Sequence, residues 1–104
     1  MKISNARLTK LIEEATLDAY NESEQRVGFL TMIGDHLAVP FVTRILEVEV
    51  TVERIDMNTA EDIVAICRRG RTRQAISILE LPLPKPGPKG AEWIEAYRRW
   101  ARGG

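Results

Sequence analysis

The chain is poor in the side chains that most often carry chemistry. His36 is its one histidine and Cys67 its one cysteine. A lone cysteine makes no internal disulfide, which suits a reducing compartment. No pair of thiols is spaced to hold a structural zinc ion. His36 has no serine or cysteine at a spacing that makes a nucleophile and its base, and reads as a polar residue at a helix end. Cys67, inside "IVAIC", reads as a small core residue. No glycine-rich phosphate loop is present, so nothing in the sequence points to an enzyme. No apolar run approaches the ~20 residues that cross a bilayer. "MKISNARLTK" lacks the apolar centre of a secretory signal. The expectation is a cytoplasmic protein with no membrane association.

What remains is an ordinary domain with an uneven charge. The 104 residues, 44% hydrophobic and 29% charged, suit one domain, 1–104, with one core. Fifteen acids balance fifteen bases. Residues 1–62 nevertheless hold 12 acids and 6 bases, and residues 63–104 hold 3 acids and 9 bases. The first part therefore carries −6 and the second +6, a segregation that bears on partners more than the sum does.

Apolar spacing places the elements. Leu8, Leu11, Ile12, Ala15 and Ala19 fall three and four apart, as on one helix face, with Ser4 or Asn5 as cap. Asn21 and Glu24 form an N-x-x-E start signal, which opens a second helix over 22–36. Its expected buried side is Val27, Leu30, Ile33 and Leu37. Gly28 and Gly34 inside it imply close packing or an early end. From Pro40 the period falls to two. "FVTRIL" is a first strand, and "EVEVTVERI" turns Val48, Val50 and Val52 inward. "DMNTAED" is a turn, "IVAICRR" a buried strand, Gly70 a tight turn, and "RTRQAISILEL" a returning strand. Four of the five prolines lie in "PLPKPGPKG", residues 82–90, an extended connector rather than a ligand for a proline-binding domain. In the closing helix, over 91–102, Trp93, Tyr97 and Trp100 form one stripe, expected to cover an open barrel edge. The predicted fold is α+β: two N-terminal helices over 5–37, an antiparallel sheet or small barrel of four to five strands over 40–81, and a C-terminal helix.

The acidic first part invites a cation. In "DAYNESEQ", Asp18, Tyr20, Glu22 and Glu24 place oxygens at alternate positions next to a helix corner. If the first helix continued to Glu22, then Glu14, Asp18 and Glu22 would share one ridge at i, i+4 and i+8. Their mutual repulsion would be relieved by a divalent ion. Calcium takes six to eight oxygens on a pliable scaffold. The spacing is not that of an EF-hand, since Ser23 stands where that loop needs glycine and Phe29 where it needs its bidentate acid. From the residues alone two readings stand: an ion site, or Glu22 and Glu24 favouring the positive end of a helix while Glu14 and Asp18 are solvated. A different surface is "RRGRTR", residues 68–73, four arginines about a hairpin. It lacks the interleaved aromatic residues that stack bases, so nucleic acid is disfavoured as a partner and pairing with the acidic part is favoured.

The segments "EEATLDAYNESEQRVGFLTMIGDHLAVPFVTRIL", "VEVTVERID", "IVAICRRGRTRQAISILEL" and "GAEWIEAYRRWAR" resemble the bacterial calcium-binding proteins first described in cyanobacteria, whose ion sites are not EF-hands. The likeness runs from about Glu13 to Arg102. It implies helices packed on a small antiparallel sheet and a calcium ion as ligand. Matching the motif's acids, it implies Asp18, Glu22, Glu24 and Asp35 as ligand candidates, with Glu13 and Glu14 behind them. The resulting expectation is a calcium buffer or sensor, with a small-barrel module binding RNA or protein as the alternative. No protein partner is indicated.

Overall fold

The computed structural model describes residues 3–103; Met1, Lys2 and Gly104 lie outside the described residues. Helix α1, Asn5–Ala15, starts at Ser4, whose side chain accepts from the Arg7 amide at 3.1 Å. It stops at Thr16, whose hydroxyl donates to the Ile12 carbonyl at 2.7 Å. Such back-bonding competes with helix continuation, and two residues later Asp18 adopts a left-handed φ of 61°. Helix α2, Glu22–His36, starts at Asn21, whose side chain accepts from the Glu24 amide at 2.8 Å, as the N-x-x-E signal predicts. The continuous ridge of Glu14, Asp18 and Glu22 therefore does not form. Asp18 and Ala19 lie in the bend between two helices, not on either one.

The bend brings α1 and α2 into close contact. A Cβ added at Gly28 would stand 2.0 Å from the Ala15 carbonyl oxygen. Glycine is thus required at the crossing for steric reasons. The buried face of α2 is centred on Phe29 and Ile33, both fully enclosed, while Val27 is 48% exposed. Of the expected face, Ile33 and Leu37 are buried and Leu30 is half-buried, whereas Val27 turns outward and Phe29 takes the centre, because apolar residues lie on several sides of this helix.

The sheet is a four-stranded antiparallel meander in the order β1-β2-β3-β4, made of Phe41–Ile45, Val48–Met57, Ile63–Arg69 and Thr72–Ser77. Ile45 pairs with Val48, leaving Leu46 and Glu47 as a two-residue turn, both at positive φ (49° and 65°). A bulge between Val52 and Arg54 shifts the register. Before it Val48, Val50 and Val52 share the inner face; after it Ile55 and Met57 do, so the bulge keeps the apolar residues of both halves of the strand facing one core. Beyond β4 the chain turns back through Leu81. The hydroxyl of buried Thr43 on β1 donates to the Pro82 carbonyl at 2.6 Å. The connector after β4 is thereby tied to the first strand of the sheet.

Helix α3, Ala91–Ala101, follows the proline-rich connector. Its aromatic stripe packs on α2 and not along a sheet edge. Phe29 meets Tyr97 edge-on at 5.4 Å and Trp100 at 5.3 Å, and His36 stacks on Trp93 at 5.2 Å. On its other side α3 is fixed by Arg98, whose guanidinium donates to the Ile78 carbonyl at 2.9 Å, to the Leu81 carbonyl, and to Glu95 at 2.9 Å. No helix among the described residues is long and apolar enough to cross a membrane.

Two glycines of one helix predict opposite outcomes. Gly34→Ala meets open space and is expected to stabilise by up to about 1 kcal/mol through helix propensity. Gly28→Ala is expected to destabilise by about 2 kcal/mol or more, because the crossing must open. Urea midpoints at constant slope measure both. Arg98→Lys retains the charge but loses the planar fork, and is expected to cost about 2 kcal/mol in the same assay.

Candidate functional site

The end of the domain at the α1–α2 bend also receives the β2–β3 loop. Within that loop the Asn58 side-chain oxygen accepts from the Ala60 and Asp62 amides, each at 2.9 Å. This local turn chemistry holds Glu61 at a positive φ of 65°. Its carboxylate accepts from the Ser23 hydroxyl at 2.6 Å and lies 3.7 Å from Arg26. The loop is thus attached to the first turns of α2. Arg26 also lies over the Trp100 ring, 5.6 Å from its centre, and the Trp100 indole donates to Gln25 at 2.9 Å.

These contacts enclose an open cleft of about 680 Å³ between α1, α2, the β2–β3 loop and the end of α3. Tyr97, Trp100 and Ile12 supply its apolar lining, and Glu13, Glu22 and Asp62 its carboxylates. Burial pushes the Tyr97 phenol above its usual range, with Asp62 adding to the effect and Arg26 opposing it. The side chains of Glu13 and Glu22 make no hydrogen bond or ion pair among the described residues.

All six acids named from the sequence are exposed, and the fold distributes them. Glu13 and Glu22 line the large cleft. Asp18 and Glu24 line a shallower groove of about 350 Å³ beside Leu17 and Val27. Glu14 and Asp35 line neither. No three His, Cys, Asp or Glu side chains among the described residues stand close enough together to hold a metal ion. The acids form partial sets, not a preformed cage. Asp62, read from the sequence only as part of a turn, joins Glu13 and Glu22 through a contact between residues 38 apart in the chain, Ser23 and Glu61. No short-range pattern carries that information.

The arginine hairpin is partly neutralised from within. Arg68 on β3 and Arg73 on β4 both donate to Glu53 of β2, at 2.8 and 2.7 Å. Pairing with the acidic part of the chain, the expectation for this cluster, holds for these two; Arg69 and Arg71 stand exposed at the turn. Trp93 and Tyr97 are buried and offer no platform for stacking bases. No protein-family model, curated protein or solved structure matches the chain; the likeness drawn above rests on the sequence motifs themselves.

The Arg73 and Arg68 hydrogen bonds hold the Glu53 carboxyl below its usual range. A depressed folded-state value contributes stability above the unfolded carboxylate range, and that contribution is lost as pH falls through the folded value. Wild type should therefore melt higher than Glu53→Gln at neutral pH, with the gap closing in acid. Melting temperatures of both proteins across pH check this.

Proposed function

We propose that this chain is a calcium-binding domain of the non-EF-hand kind, acting as a buffer or sensor, with the cleft at the helix corner as its ion site. The observation that carries this reading is the position of Glu13, Glu22 and Asp62. Three carboxylates from three separate elements line one cleft without forming a preformed cage, and the two on helices make no hydrogen bond or ion pair among the described residues. The −6 charge of residues 1–62 and the likeness to the cyanobacterial calcium-binding proteins support the same reading. Asp18 and Glu24, in the neighbouring groove, contribute field rather than direct bonds. Glu14 and Asp35 stand further out as candidates.

With no closed cage, the ion draws the carboxylates inward and completes its shell with backbone carbonyls and water. Calcium tolerates such irregular coordination, whereas magnesium demands a near-ideal octahedron, so calcium is preferred. The buried free thiol of Cys67 fits the cytoplasmic placement that belongs to this reading.

Calorimetric titration with calcium should show saturable heat, and the melting temperature should rise with free ion by mass action. Glu13→Gln with Glu22→Gln should weaken binding at least about ten-fold, the effect of removing ~1.4 kcal/mol or more of ion interaction. Asp35→Asn should leave it unchanged. Absence of both heat and a melting shift at millimolar calcium rejects the reading; equal losses from Asp35→Asn move the site away from this cleft.

A further inference from the structure

The sheet end opposite the helix corner carries an apolar surface. Ile45, Val48, Val50 and Ile76 stand half-buried around a groove of about 320 Å³, with buried Cys67 at its floor and Arg69 on its rim. Beside it, at the β1–β2 turn, Leu46 is 93% exposed. Leu46 and Glu47 are both left-handed there, with φ of 49° and 65°. Turns of this type are usually built from asparagine and glycine. A leucine in that conformation is strained, and at this exposure it gains almost no packing within the chain. The cost is understandable if Leu46 packs against something outside it.

We propose that this end of the sheet is a self-association surface, occupied by a second copy of the same chain. In an antiparallel meander the β1–β2 and β3–β4 turns lie at the same end. A two-fold axis normal to the sheet, passing just beyond this end on the line between β2 and β3, sets two such ends face to face. It places the β1–β2 turn of one protomer over the β3–β4 turn of its partner. Leu46 then enters the opposing groove, and Glu47 beside it meets Arg69 and Arg71 across the interface. Each contact occurs twice, as a closed two-fold requires. Charge complementarity selects this occupant: the protruding turn carries an acid and the receiving rim carries bases, all on one sequence. The patch is confined to one end of the sheet, so the dimer is weak and forms with rising concentration.

Sedimentation velocity over a concentration series tests this, run with chelator present so that the result is independent of any ion. Wild type should pass from monomer to dimer. Leu46→Asn suits the left-handed turn and touches no core residue; it should weaken the dimer at least about ten-fold while melting in dilute solution at or above wild type. Glu47→Arg alone, and Arg69→Glu with Arg71→Glu alone, should each weaken self-association, and mixing the two variants should restore a mixed dimer. A wild type that stays monomeric at the highest concentration overturns the proposal, leaving the groove to a partner of other sequence. A dimer that survives Leu46→Asn, or two charge variants that fail to complement, overturns it equally.

Discussion

Phe29 is the contact on which the arrangement of layers depends. It is fully enclosed and meets Tyr97 edge-on and Trp100 at a tilt. Aromatic pairs in these geometries add roughly 0.5–1.5 kcal/mol each beyond the area they bury. Through Phe29, α2 fixes the position of α3, and through Arg98 α3 fixes the strand exit at Ile78 and Leu81. The cleft has Tyr97 and Trp100 in its lining because these rings are already held in place by Phe29.

Close backbone approach is the second constraint, and it explains two glycines of quite different sequence context. Gly28 lets α1 and α2 cross near Ala15. Gly90, at a positive φ of 88°, lies so near the end of α2 that a Cβ would fall 2.2 Å from the His36 carbonyl oxygen. The Ala38 amide donates to the Lys89 carbonyl at 2.8 Å in the same place. The proline-rich connector is therefore joined to α2 at its far end, just as it is joined to β1 through Thr43 and Pro82. A stretch with few amide donors is held by the carbonyls it still possesses.

Much of the fold was legible because its signals are local. The Asn21 cap, the alternation of Val48, Val50 and Val52, the Gly70 turn and the apolar run of β3 each act within a few residues, and each lies where periodicity places it. The limits of legibility are equally physical. Phe29 was missed as the centre of the α2 face because a helix with apolar residues on several sides has no single preferred direction. The ridge of Glu14, Asp18 and Glu22 assumed a continuous helix, and Thr16 ends it by bonding backward. The cleft was only half legible: Glu13 and Glu22 were visible as acids, whereas Asp62 and Arg26 come to it through long-range contacts. The aromatic stripe was recognisable as a stripe, but its partner layer was not.

The two indoles of the chain occupy unlike surroundings. Trp93 is enclosed against the His36 ring, whereas Trp100 borders the cleft, half-buried, with Arg26 over one face. Their emission should differ accordingly: the first reports on the seam between two helix ends, and the second on whatever enters or reshapes the acidic hollow. Because Tyr97 stacks on Trp100 at 5.7 Å, light absorbed by that phenol can reach the Trp100 indole. The molecule thus carries an optical probe beside this cleft.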